Sequence, residues 1–172
     1  GVEIAIKEIT GRLNSQLDFL IFTAKLKKDL AVKEKMNEGW VFRLGLGLGI
    51  DKFLFPFFGF LKARKYLKKG IVLWGMDIST GSLAAALLKF FYPKSYFIFT
   101  VQYGYGEDRL RRGRGGLIAH ALKFILSQAD TVTVISNYLG QVVRKYGYRG
   151  PLEVIPNGVD FERFKNKDYI KN

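Results

Sequence analysis

Four short and mostly apolar runs mark the chain from residue 70 onward: GIVLWGM (residues 70–76), YFIFTV (96–101), TVTVI (131–135) and LEVI (152–155). A strand with one face in water alternates apolar and polar residues. GIVLWGM and YFIFTV do not, so they read as strands covered on both faces, which is the situation in a parallel sheet, and TVTVI and LEVI read as further strands of it. Helical patterns fill the intervals. SLAAALLKFF (82–91) is apolar nearly all round. GLIAHALKFILSQ (116–128) carries Leu117, Ile118, Ala121, Leu122, Ile125 and Leu126 on one stripe, and NYLGQVVRKYG (137–147) carries Tyr138, Leu139, Val142, Val143 and Tyr146 on another. Alternating strands and helices predict an α/β domain with a doubly wound, mostly parallel, Rossmann-like sheet.

The first half is less regular. Val2, Ile6, Ile9 and Leu13 share a helix face. LDFLIFTA (17–24) and WVFRLGLG (40–47) read as strands, with LKKDLAVKEK (26–35) as a polar connection between them. Pro56 predicts that the next helix, FFGFLKARKYLKK (57–69), begins only after it, with basic residues in its last turns. No internal repeat or low-complexity linker is present.

Composition narrows the chemistry. With 172 residues, 48% of them apolar and 15% aromatic, the chain can bury a core and is not disordered. The absence of cysteine excludes disulfides, thiol nucleophiles and cysteine-held metals, and one histidine, His120, excludes a histidine-rich metal site. His120 falls mid-helix among apolar neighbours, where a surface or packing role is expected. The opening GVEIAIKE, with two acids in its first turns, does not read as a secretory leader, the lack of an initiator Met leaves a start further upstream open, and the most apolar stretch, FLFPFFGFL (53–61), is too short to span a bilayer. The net charge of +13 favours anionic partners. Its clusters are KLKK (25–28), KARKYLKK (62–69), RLRRGR (109–114) and RKYGYR (144–149), each also readable as a solvated helix face or loop.

Ligands of open α/β sheets bind beyond the carboxyl ends of the strands. The residues that follow the four runs are therefore the candidate site: Asp77, Ser79, Thr80 and Gly81; Gln102, Tyr103, Gly104, Glu107 and Arg109; Ser136 and Asn137; Asn157 and Gly158. The same residue types have structural uses. Ser79 or Thr80, and Ser136, suit helix N-caps, Asn157-Gly158 suits a turn with positive φ, and Asp160 suits the cap of a short helix bearing Phe161 and Phe164. GLGLG (45–49) offers a weak dinucleotide-loop signal, because IDKFLFP separates it from the expected helix.

The segment ADTVTVISNYLGQVVRKYGYRGPLEVIPNGVDFERF (129–164) resembles the end of the first domain in family-four retaining glycosyltransferases of the GT-B fold, where PNGVD precedes a Phe. Gly1-Val2-Glu3 resembles the end of that family's GGVE loop, and WGMDISTGSLAAALLK (74–89) its central strand–loop–helix. FIFTVQYG (97–104) resembles the strand ending in Thr-x-His-Gly. The resemblance covers nearly the whole chain. It implies that residues 1–164 form the N-terminal, acceptor-side half of a GT-B enzyme, lacking its first strand, and that 165–172 begin the crossing to a donor-binding domain. Such a fragment would be inactive alone.

The implied reaction moves a hexosyl-type sugar from a nucleotide-diphosphate donor to a sugar or lipid-linked acceptor, with retained configuration and no metal or other cofactor. Gly1 would approach the donor phosphates. Gln102 stands where the family has its His, so it can orient a sugar hydroxyl but cannot titrate, which leaves Glu107 as the local acid or base. The implied setting is cytoplasmic, and the basic loop from Arg109 to Arg114 is expected either to hold an anionic acceptor or to make peripheral contact with an anionic membrane on its inner face. The same charge allows a different class of function, a stand-alone module for anionic lipid or nucleic acid, although no specific nucleic-acid motif is present. A sugar-nucleotide epimerase of the same fold is a third reading.

Overall fold

The computed structural model describes residues 2–36, 39–68, 70–102, 110 and 112–159. Helix α1 (Val2–Leu13) is followed by strands β1 (Leu20–Ala24), β2 (Lys33–Met36) and β3 (Gly39–Leu44). Helix α2 (Asp51–Ala63) leads to β4 (Val72–Met76), α3 (Thr80–Phe91) and β5 (Tyr96–Val101). Helix α4 (Leu117–Gln128), β6 (Thr131–Val134), α5 (Asn137–Lys145) and β7 (Leu152–Val154) complete the order. The four apolar runs form one sheet, β4-β5-β6-β7, with every pair parallel. A second sheet, β1-β3-β2, pairs β1 with β3 in parallel and β2 with β3 antiparallel.

The core follows from the unbroken apolar character of the central strands. Phe97, Phe99, Val132 and Val134 have no exposed surface, and Ala86, Ile125 and Leu126 press on them from α3 and α4. A polar chain also crosses this sheet. Trp74 Nε1 donates to Thr100 Oγ1 at 2.9 Å, and Thr100 Oγ1 lies 2.7 Å from Thr133 Oγ1. Three neighbouring strands are thus joined through side chains as well as backbone, and the buried Thr100 is satisfied. Helix α3 lies close on β4 because position 75 is glycine: a Cβ there would stand 2.9 Å from Ser82 Oγ and 3.1 Å from Ser82 Cα.

Three local expectations are corrected. The connection 26–35 contains strand β2, every residue of which is exposed. Its residues are mostly charged, as edge strands often are, and it is held by Lys33 Nζ 4.0 Å over the Trp40 ring and by a 2.6 Å pair between Glu34 and Arg43. Helix α2 begins at Asp51 and runs through Pro56. The proline forfeits one intrahelical hydrogen bond, but the helix is anchored at its start by Asp51 and buries Phe55, Gly59 and Ala63 along one side. Leu117 and Tyr138, assigned to the apolar stripes, are 67% and 58% exposed, each in the first turn of its helix.

Tyr148, after α5, has its hydroxyl turned into the protein, where it donates to Pro151 C=O at 2.9 Å with Asp130 C=O at 3.2 Å. Burial raises its pKa above the ordinary 10.0, with Arg144 opposing. The phenol of the unfolded chain therefore ionises first. Stability is whole below about pH 10 and declines as the pH climbs past it. Melting temperatures measured across that range should fall less steeply for Tyr148→Phe than for the parent. Gly75→Ala should destabilise by about 1–3 kcal/mol through overpacking against Ser82, read as a lower urea midpoint at unchanged slope.

Candidate functional site

The carboxyl ends of β4, β5, β6 and β7 lie along one rim, because the strands are parallel and consecutive in the sheet. At its β4 end stands Asp77, 6% exposed and with φ of 53°. A non-glycine residue in this region is strained unless neighbours hold it there. Asp77 is held at several atoms. Its N–H donates to Thr100 C=O at 2.8 Å, its Oδ1 accepts from the Gln102 N–H at 2.7 Å, and its C=O accepts from Ser79 N–H and Ser82 Oγ. One residue therefore fixes the ends of two strands and the entry to α3.

The start of α3 is a small hydroxyl cluster. Ser79 caps the helix by accepting from Ser82 N–H at 3.1 Å, and its own hydroxyl donates to Met76 C=O at 3.0 Å. Ser82, wholly buried, lies 3.1 Å from Ser79 Oγ and donates to Asp77 C=O at 2.7 Å. Sequence reasoning missed Ser82, although the Ser79-x-x-Ser82 spacing was visible. Ser79 is exposed and Thr80 and Gly81 are half-buried, so this turn faces the rim. A methyl on Gly81 would meet only ordinary contacts, the nearest 3.5 Å from Ser79 Oγ.

On the next strands, Gln102 and Asn157 meet. Gln102 Nε2 donates to Asn157 Oδ1 at 3.2 Å, over 55 positions of sequence. The contact joins the end of β5 to the segment after β7, across the end of β6. There Ser136 caps α5, its Oγ accepting from Leu139 N–H at 3.3 Å, with Asn137 exposed beside it. Neither Asn157 nor Gly158 has positive φ, so the expected turn is absent and the two residues lie in exposed, irregular chain. Among the described residues of the rim, the one with positive φ is Asp77 instead.

Asp77, Ser79, Thr80, Gly81, Gln102, Ser136, Asn137, Asn157 and Gly158 thus stand along one rim. Gly1, Tyr103, Gly104, Glu107 and Arg109 lie outside the described residues, as does residue 160 with the segment after it. His120, expected mid-helix, lies instead in the first turn of α4, where it is exposed with its Nδ1 2.9 Å from Gly116 C=O. A shallow depression of about 310 Å³ bordered by Lys123, Tyr146 and Arg149 opens at the other end of the sheet and adds nothing to this site.

The loop 45–49 is closed to a dinucleotide, but not by its distance from a helix. The helix begins two residues after Gly49, so distance does not separate them. The amides are taken instead: Asp51 Oδ2 accepts from Gly47 N–H at 2.7 Å and from Leu48 N–H at 2.8 Å. Gly47 has φ of 80° and passes so near the neighbouring loop that a Cβ would lie 2.6 Å from Lys28 Cα. Glycine is needed here for the turn and the close approach.

The fold is that of known GT-B proteins. A sucrose-phosphate synthase from Thermosynechococcus elongatus superposes with a TM-score of 0.64 over 94% of this chain and 86% of that chain, at 17% identity. No curated protein matches the chain at a significant level. Residues 1–163 match the sequence profile described as Glycosyltransferase Family 4. With a parallel sheet, a polar rim at its strand ends and a family match over nearly its full length, the chain belongs to glycosyltransferase family 4.

Proposed function

We propose that residues 1–164 are the acceptor-side half of a retaining glycosyltransferase, and that 165–172 lead toward a donor-binding half. The observation that carries this reading is the junction of Gln102 and Asn157 on the rim, beside the Ser79 turn. It gathers amide and hydroxyl groups from separate strands, and such groups recognise sugar hydroxyls by donating and accepting at once. In the reaction, the bond between the donor's anomeric carbon and diphosphate breaks, with the electron pair leaving on the nucleoside diphosphate. The acceptor oxygen bonds to that carbon on the face just vacated and loses its proton.

Gln102 orients the reacting sugars and takes no proton. Glu107, on the segment that follows it, is the proposed acid or base, and Gly1, Tyr103, Gly104 and Arg109 are proposed contacts to donor phosphates and acceptor. Ser136, Asn137 and Gly158 complete the proposed rim contacts. The donor is a nucleotide-diphosphate hexose and no resident cofactor is required. The proposed setting is the cytoplasmic, inner face of a membrane.

Nucleoside-diphosphate release from a panel of nucleotide sugars, measured with the complete gene product, tests the reading; no release with any donor and acceptor pair would overturn it. Gln102→Ala and Asn157→Ala should each lower kcat/KM about tenfold, the loss of roughly one oriented hydrogen bond, with melting temperature unchanged. Glu107→Gln should remove most turnover, and full activity in that variant would strike Glu107 from the mechanism. Asp77→Ala should cost about 1–3 kcal/mol in chemical denaturation by leaving the Gln102 N–H without its carboxylate, whereas Asp77→Asn should retain most stability.

A further inference from the structure

Helix α2 is apolar on two opposite faces. Phe55, Gly59 and Ala63 are buried against the protein. On the outer face, Ile50, Phe53, Leu54 and Phe57 follow the i, i+3, i+4, i+7 spacing of a single helix stripe, and they are 56%, 53%, 43% and 59% exposed. The adjoining loops extend this surface. Leu46 and Leu48 precede the helix, and Leu26 follows β1; all three are exposed. The two loops touch, as the closeness of Gly47 to Lys28 requires. Scattered exposed hydrophobics need no explanation, but a contiguous stripe with matching loop tips marks an interaction surface.

The surroundings indicate what covers it. Lys27, Lys28 and Lys52 are exposed around the patch and Lys25 is half-buried beside it, with Lys52 Nζ 5.0 Å from the Phe53 ring centre. Of the acids in these stretches, Asp51 is buried and binds two backbone amides, which leaves Asp29 at the surface. A second copy would bring like charges together around the contact. An anionic bilayer matches both features, taking aromatic and leucine side chains at the acyl boundary and lysines at the phosphates.

The position is also informative. A Cβ on Gly81 would lie 3.9 Å from Phe55, and one on Gly59 would lie 3.1 Å from Ala84. Helices α2 and α3 therefore run side by side in the same direction, and the patch begins at the end of the molecule where Ser79 stands. We infer that the outer face of α2, with the loops at 25–28 and 45–49, is a docking surface for an anionic phospholipid bilayer, which sets the polar rim beside the membrane plane. The inference deepens the proposed function, since it places the acceptor at a bilayer. It is separate from the basic segment at 109–114.

Vesicle co-sedimentation without any sugar nucleotide tests it independently of whether transfer is catalysed. The parent chain should bind phosphatidylcholine vesicles containing roughly one third phosphatidylglycerol at least tenfold better than phosphatidylcholine alone. Phe53→Asp combined with Phe57→Asp should reduce that binding by about tenfold or more, with melting temperature unchanged because both sites are exposed. In a second measurement that keeps the surface apolar, Phe57→Trp should add fluorescence that lipids brominated on their acyl chains quench. Absence of parental binding, equal binding by the double variant, or no quenching of the new tryptophan would overturn the proposal. So would light scattering that shows the same residues joining two copies of the chain instead.

Discussion

The rim depends on a carboxylate placed where the backbone turns out of a strand in a disfavoured conformation. Asp77 bridges the exits of β4 and β5 through the Gln102 amide, and its carbonyl receives the first turn of α3. A left-handed aspartate costs energy in isolation. Here each polar atom named above serves as a partner to another element, so the strain is coupled to the alignment of three segments. The placement of Gln102 follows from that alignment. Its side chain can reach Asn157 because its backbone is pinned two strands away.

The parallel sheet was legible because its central strands are enclosed on both faces, and enclosure leaves a compositional trace; the last strand, β7, is an edge strand with Glu153 and Val154 exposed, against the expectation that it too was covered. YFIFTV and TVTVI could hardly sit elsewhere. The caps at Ser79 and Ser136 were legible for a similar reason: a hydroxyl at the exit of an apolar run has few better uses. Strand β2 was not legible. An edge strand has solvent on both faces and pairs on one side, so Lys33, Glu34 and Lys35 look like a solvated loop until Trp40 and Arg43 are seen opposite them.

Two errors share a cause. Pro56 and Asn157-Gly158 were read by local rules for breakers and turns, and in both places contacts outside the dipeptide accompany a different backbone. Packing and the Asp51 anchor carry α2 through its proline. The hydrogen bond from Gln102 accompanies an irregular segment where a turn was expected. Local propensity is a weak prior when a residue's partners lie far away in sequence. The family resemblance was readable from PNGVD and the strand–loop–helix that starts at Trp74, and the family match over 1–163 agrees with it.

The Asp51 carboxylate has a consequence for ligand traffic over this surface. A tethered group competes at an effective concentration far above that of any free anion. The glycine loop at 45–49 therefore carries its own resident inhibitor, covalently attached and already seated. Those two amides are therefore already engaged and are not open donors for a phosphate.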